Sequence, residues 1–277
     1  STNLISFHML SLVVPLAPAF VAPAAPIRSA AVSSCDVRME TVEDLKTLAE
    51  KCNPVVKYYN PTGLAEMNFW GQSQEATIGF LRQSEIKHGR IAMFAFVGFI
   101  AGSNGVVWPW AQSLSGTTFA DIAAAGGPAD QWDALPTNAK LQILGVISFF
   151  EWWSENSYAL EQSGTKHYMR GGKPGVFPSF NKGGIPHTVP FELFDPFGLS
   201  KNRSEADKEK GLIAEINNGR LAQIGIMAFI SEAKVPGSVP ALKGLITPYA
   251  GEPMAVFSAS DKLPLVPEML ALPFPWK

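Results

Sequence analysis

The chain has 277 residues, 47% of them hydrophobic and 17% charged, against about 25% charged in ordinary soluble domains, so a disordered chain is excluded. Lys+Arg 22 against Asp+Glu 24 leave a net charge of −2, so no global field draws in nucleic acid or other polyanions. Gly 24, Pro 22, Trp 7, Phe 18 and a mean hydropathy of +0.10 instead suit a protein that meets lipid.

Residues 1–34 hold an acid-free apolar run, Leu10 to Val21, followed by Pro23, Pro26, Arg28 and a Ser/Ala stretch. That is the composition of a targeting sequence. With Pro15 and Pro18 inside it, the run of about 12 residues falls short of the roughly 20 that span a bilayer, so it reads as a signal-type segment and not as an anchor. A flexible apolar tail is the plainer reading of the same residues. Ala19-Phe20-Val21-Ala22-Pro23 resembles the phenylalanine-marked junction of presequences that lead into plastids of secondary origin, with processing expected near Cys35 to Glu40. Cys35 and Cys52 are too few for a disulfide framework and lack metal-site spacing; both read as unpaired.

Thr41-Val42-Glu43-Asp44 has capping-box spacing and opens a short surface helix to about Lys51, closed by Pro54. Three longer helical segments follow, Gln74 to Ala101, Thr137 to Ala159, and Ser204 to Ala233, the last opened by a capping box of Ser204 and Asp207. Gly/Pro-rich loops connect them. Leu212 to Ile230 would make about 28 Å of helix, close to the roughly 30 Å of a hydrocarbon core, and so reads as able to span. Yet it carries Glu215, Asn217, Asn218, Arg220 and Gln223, and the first segment carries Glu85, Lys87, His88 and Arg90. Ionisable groups are costly there and mark a site.

The two segments are copies. Glu85-Ile86-Lys87-His88-Gly89-Arg90-Ile91-Ala92 aligns with Glu215-Ile216-Asn217-Asn218-Gly219-Arg220-Leu221-Ala222, so that Glu, Ile, Gly, Arg and Ala recur in register. The middle segment has no copy. The expected fold is an all-α membrane protein of three transmembrane helices, the first and third crossing as a pseudo-twofold pair. Glu and Arg five apart lie about 140° apart around one helix and cannot pair comfortably with each other. In the crossed pair Glu85 meets Arg220 and Glu215 meets Arg90, while Gly89 and Gly219 let the backbones approach.

His88 and Asn218 each follow a Glu by three residues and offer a lone pair to a metal. Donors spaced singly along a helix do not converge on one ion, which needs four to six ligands in one place. They suit many centres with one protein ligand each, as in a magnesium porphyrinoid whose ring supplies four nitrogens.

ExxHGR, ExxNGR followed by Gln223, and Phe194-Asp195-Pro196-Phe197-Gly198-Leu199 resemble the chlorophyll-binding light-harvesting complex superfamily over about residues 75–233. The presequence and Val235 to Pro240 look like its red-lineage chlorophyll a/c branch, with fucoxanthin- and peridinin-type antennae. The resemblance implies Mg ligation by Glu85, His88, Glu215, Asn218 and Gln223, with Arg90 and Arg220 as ion-pair partners that leave each Glu one oxygen for magnesium. Glu151 looks like a further ligand and Gln142 a candidate one. Carotenoid grooves would be lined by Ala92, Phe96, Ala222, Gly225 and Met227, with Phe194, Asp195 and Pro196 at one carotenoid end ring. Met93, Phe94, Phe96 and Phe99 serve equally well as lipid- or helix-facing bulk. No His follows Ala233, which departs from the green-plant pattern.

The implied cofactors are chlorophyll a, chlorophyll c and carotenoids of the peridinin, fucoxanthin or diadinoxanthin type. The implied partners are a photosystem core, photosystem I preferred over photosystem II, neighbouring antenna subunits and thylakoid lipids, with no nucleic acid. Residues 1–40 are then a plastid presequence, 41–74 a stromal segment, 75–233 the pigment domain and 234–277 a lumenal tail. The loop Ala101 to Pro136 has no Lys or Arg, whereas Leu160 to Arg203 has six, so the latter and the N-terminus should face the stroma. His167, His187, Lys140 and Glu155 read as surface or interfacial groups, and Trp152 and Trp153 as an aromatic belt. The function expected is an antenna, with a photoprotective quencher or, from another class, an ion-coupled transporter as rivals. No HExxH, GxSxG, Walker or dinucleotide motif is present, so an enzyme is not expected.

Overall fold

A computed structural model describes residues 40–272 except 183–188, 190, 191, 201 and 254. The presequence reading and His187 lie outside the described residues. Helix α1, Val42–Cys52, starts where the sequence placed it: Asp44 N donates to Thr41 Oγ1 at 3.4 Å and Thr41 N to Asp44 Oδ2 at 2.9 Å. Helix α2, Gln74–Ser103, starts at Ser73, whose Oγ accepts from Ala76 N at 3.2 Å.

The segment 101–136, expected as a loop, carries two short helices, α3 (Phe119–Ala123) and α4 (Pro128–Ala134). Each is too short to reveal a helical period. Their signals are caps instead, Asp121 on Thr118 and Asp130 on Gly127. The expected middle helix, 137–159, divides into α5 (Thr137–Glu155) and α6 (Ser157–Gln162). Asn156 makes the break: it leaves the helical region, and its side chain accepts from the amides of Tyr158 and Ala159, the local competition that disfavours Asn inside helices. Helix α7, Glu205–Lys234, and the short α8, Val266–Ala271, complete the set. Among the described residues the β pairing is one isolated bridge, Ala111 to Thr118.

Helices α2 and α7 pack on each other more extensively than any other two elements. Both have 30 residues, about 45 Å of helix at 1.5 Å per residue, and neither is strongly amphipathic in sequence. Among the described residues no helix is long and apolar enough to cross a membrane by its own hydropathy. The spanning reading of Leu212 to Ile230 is therefore not met by side-chain polarity alone: Glu215, Asn217, Asn218, Arg220 and Gln223 dilute α7, as Arg82, Glu85, Lys87 and Arg90 dilute α2.

Packing corrects two surface readings, Lys140 and Trp153, and gives partners to two groups that stay at the surface, His167 and Glu155. Lys140 is fully buried, its Nζ donating to Asp261 Oδ2 at 2.7 Å and to the Asp133 carbonyl at 3.2 Å. Burial alone would raise the Asp261 carboxyl, but hydrogen bonds from Lys140, Ser258 N and Thr137 outweigh it and hold the group below the usual carboxylate range. The tail is thereby clamped to the start of α5. Trp153 turns inward against Ala159 and Phe180, with Nε1 donating to the Pro178 carbonyl at 3.3 Å, while Trp152 stays exposed. His167 and Glu155 are partners, 2.7 Å apart, and Tyr168 Oη also donates to Glu155; burial, then the charge of Glu155, pushes the Tyr168 hydroxyl well above its ordinary value.

Candidate functional site

The crossing of α2 and α7 is centred on its two glycines. A Cβ placed on Gly219 would lie 2.9 Å from Gly89 Cα, and one on Gly89 would lie 3.1 Å from Gly219 Cα. No larger residue fits without separating the helices. Around this contact the expected reciprocal pairs form. Arg220 Nε donates to Glu85 Oε1 at 2.7 Å, and Arg90 Nε donates to Glu215 Oε1 at 2.6 Å. Four charges that would be costly in a low-dielectric setting are neutralised in pairs.

The copies then part. Glu215 has one oxygen engaged, as expected, and among the described residues Oε2 has no partner. Glu85 has both engaged, because Arg82 Nη1 donates to Oε2 at 2.9 Å. Arg82 in turn donates through Nε to Glu40 Oε2 at 3.2 Å. On the other side Arg90 Nη1 donates to the Gly175 carbonyl at 2.8 Å. Neither Arg82 nor Gly175 was recognised from sequence. The first could have been, since an Arg three residues before a Glu shares its helix face; the second gives no such signal.

The lone-pair donors are also placed. His88 is exposed, and its Nδ1 lies 2.8 Å from the Ser84 carbonyl. Donation to that carbonyl fixes the tautomer and leaves the Nε2 lone pair outward, the usual arrangement of a metal-binding imidazole. Asn218 is exposed on α7 and, among the described residues, has no side-chain partner. Gln223 and His88 line one cavity of about 690 Å³ together with Lys87, Glu151, Ala92 and Met227. Lys87 Nζ pairs with Glu151 Oε2, tying α2 to α5 at the rim of that cavity. Gln142 is exposed on α5, away from it. Among the described residues no three His, Cys, Asp or Glu gather as a cage for one ion. The donors present fit magnesium centres that bring their own equatorial nitrogens and need one hard axial ligand each.

The chlorophyll A-B binding protein family model matches residues 45–234. The chain belongs to this family. It is similar to fucoxanthin-chlorophyll a-c binding protein C of Phaeodactylum tricornutum, 28% identical over 206 residues that make up 74% of this chain and 86% of the relative. Protein B of the same organism is 30% identical over 206 residues, 74% of this chain and 85% of the relative. The fucoxanthin-chlorophyll a-c binding protein of Trieres chinensis is 28% identical over 192 residues, 68% and 78% of the two chains.

Within this chlorophyll A-B binding protein the remaining expected residues divide between grooves and packing. Phe96 lies against Gly225, where a Cβ would come 2.7 Å from its ring, and it stacks on Phe229 at 5.0 Å. Ala222 is buried in the crossing. Phe194 is exposed and Asp195 accepts from the amides of Leu199 and Ser200 at 2.6 and 2.7 Å. The structure adds a second turn of this kind. Asn60-Pro61-Thr62-Gly63-Leu64 repeats Asp195-Pro196-Phe197-Gly198-Leu199, with Gly63 N to Asn60 O at 3.3 Å and Gly198 N to Asp195 O at 3.1 Å. Both glycines take positive φ, +66° and +69°. The repeat therefore extends upstream of each charged helix, and the signal was the Asx-Pro-x-Gly-Leu spacing itself.

Proposed function

We propose that the chain is a light-harvesting antenna of the thylakoid that holds chlorophyll a, chlorophyll c and a carotenoid of the fucoxanthin, peridinin or diadinoxanthin type. The names of the relatives support the chlorophyll a/c and carotenoid assignment. The observation that carries the reading is the reciprocal crossing: Glu85 with Arg220 and Glu215 with Arg90 consume the charges and leave single outward donors, His88 and Asn218, at matched positions. Glu85, Glu215, His88, Asn218 and Gln223 are the proposed Mg ligands, with Glu151 and Gln142 as further ones. Each bound chlorophyll would supply the light-absorbing π system. The residues do the rest: they hold each magnesium by one lone pair, orient the ring through a rigid helix, and exclude water along the Ala92 and Met227 wall. Ala92, Phe96, Ala222, Gly225 and Met227 are proposed to border carotenoid grooves, with Phe194 to Pro196 at one end ring and the Asn60 to Leu64 turn at another.

Helices α2, α5 and α7 are proposed to span the thylakoid membrane. Charge pairing across the crossing supports this where hydropathy alone does not, because paired groups carry far less of the transfer penalty than free ones. The basic 160–203 stretch is placed on the stromal side with the N-terminus, and 234–277 in the lumen. Photosystem I, with neighbouring antenna subunits, is the proposed acceptor of excitation.

The deciding experiment is purification in mild detergent, pigment extraction, and fluorescence excitation spectroscopy. Chlorophyll a emission excited through chlorophyll c and carotenoid bands is the expected result; a pigment-free protein, or one without such transfer, would overturn the reading. Protease added to sealed vesicles should cut the 160–203 stretch from the stromal face and spare 101–136, and co-purification distinguishes the two photosystems.

A further inference from the structure

The Glu85 half of the crossing contains a residue that its copy lacks. Arg82 is buried, with a side chain only 5% exposed, and it bridges two carboxylates: Glu85 on its own helix and Glu40 in the segment before α1. The position three residues before Glu215 is Leu212, so the second half has no counterpart. A buried guanidinium demands partners, since one left unpaired is strongly destabilising. Arg82 has two, and one of them comes from outside the repeat. The N-terminal segment that supplies it is fastened at further points, Asn217 Nδ2 to the Cys52 carbonyl at 3.0 Å and Lys51 to Glu209.

We infer that Arg82 is a positioning residue for magnesium ligation at Glu85, and that it makes this one chlorophyll site depend on docking of the N-terminal segment through Glu40. Arg220 meets Oε1 through both Nε and Nη2 and Arg82 meets Oε2 through Nη1, so three of the four lone-pair sites are engaged, the carboxylate plane is held, and the one site left, on Oε2, would face a magnesium from a single direction. Without Glu40, Arg82 can turn toward solvent or draw Glu85 with it, and that direction is lost. Glu215 is held by Arg90, which is anchored to a loop carbonyl, so its site does not share the dependence. This inference rests on the reading of Glu85 as a magnesium ligand and on presequence cleavage at the upstream end of the 35–40 window, which leaves Glu40 in the mature chain.

The test compares four variants of the full chain assembled with pigments: Glu85→Gln, Glu215→Gln, Arg82→Gln and Glu40→Gln. Chlorophyll per polypeptide, the absorption difference spectrum against wild type, and the melting temperature are read for each. Arg82→Gln should lose one chlorophyll with the difference spectrum of Glu85→Gln, not that of Glu215→Gln. Glu40→Gln should give the same spectrum at smaller amplitude, and Arg82→Lys should restore part of it. A merely structural role would lower the melting temperature and bleed pigment from all sites alike; that outcome, or a full chlorophyll complement in Arg82→Gln, overturns the inference. If Arg82→Gln does not assemble, the milder Glu40→Gln variant carries the decision, since it keeps Arg82 in place. Retention of every chlorophyll in Glu85→Gln would instead sink the ligand reading, and the inference with it.

Discussion

The two halves of the crossing share five of eight residues in register and end in different surroundings. In the Glu85 half a second arginine from the same helix completes the carboxylate, and an acid from the N-terminal segment completes that arginine. In the Glu215 half the arginine reaches a backbone carbonyl of the 170s, and among the described residues the second oxygen of the carboxylate has no partner. The difference teaches that the repeat specifies the contact between its copies, while each copy is stabilised by whatever unrepeated segment lies beside it. The symmetric part is the glycine contact and the two ion pairs. The asymmetric part is everything those pairs touch next.

The largest effect expected lies in the symmetric part. Gly219→Val should prevent assembly altogether, because even its Cβ would sit 2.9 Å from Gly89 Cα, a backbone atom that cannot step aside. Gly89→Val should do the same. Pigmented protein recovered in normal yield from either variant would show that the helices do not cross at these glycines.

The ion pairs come next, and here the halves should separate. Arg90→Gln removes the one arginine that, among the described residues, pairs with Glu215, and also the bond to Gly175. Arg220→Gln leaves Glu85 with Arg82. Loss of a hydrogen bond to a charged group is worth about 1.5–3 kcal/mol, so Arg90→Gln should destabilise the pigmented protein by roughly that much more than Arg220→Gln. Thermal denaturation of both variants checks the order, and equal losses would mean that Arg82 gives Glu85 no support. The double variants Glu85→Gln/Arg220→Gln and Glu215→Gln/Arg90→Gln should each be less damaged than the sum of their singles, as contacting residues are.

How much of this was legible follows from the same division. Anything carried by the repeat could be read: a Glu and an Arg too far around one helix to pair need partners, and a second copy supplies them. Arg82 to Glu40, Arg90 to Gly175 and Lys140 to Asp261 join residues 42, 85 and 121 positions apart, with no periodicity or motif linking them. Lys140 looked interfacial because a lone Lys near a helix start usually is; only the tail folding back brings Asp261 to it. Short helices such as α3 and α4 were missed because hydrophobic period needs more than two turns to show, although their caps were present. Asn156 ended α5 early for the opposite reason, a local side-chain signal inside an otherwise continuous apolar segment.

A smaller effect is expected at the single donors. His88→Ala and Asn218→Ala should each remove one chlorophyll and leave the fold assembled, since neither strands a charge. The halves should still differ in the wild type. His88 is held by the Ser84 carbonyl, so its ring loses less freedom when it is oriented, whereas among the described residues the Asn218 side chain has no such restraint. Progressive detergent stripping, followed by absorption, should release the Asn218 chlorophyll before the His88 one. The reverse order would show that the ring environment, not the ligand's own anchoring, sets retention.

The smallest effect lies at the turns, where the halves should again behave alike. Gly63 and Gly198 both sit in the left-handed region after Asx-Pro-x, and a Cβ on Gly63 would meet no atom within 4 Å. The cost of Gly63→Ala is therefore backbone strain alone, about 1–2 kcal/mol. Gly198→Ala faces the same φ and should lose a similar amount, so the two melting temperatures should fall together. A clearly larger loss at Gly198 would indicate that Asp195, which caps Leu199 and Ser200, has tied that turn more tightly into the fold than Asn60 has tied the first. The repeat would then be symmetric only at the crossing, and its upstream turns would belong with the unrepeated surroundings.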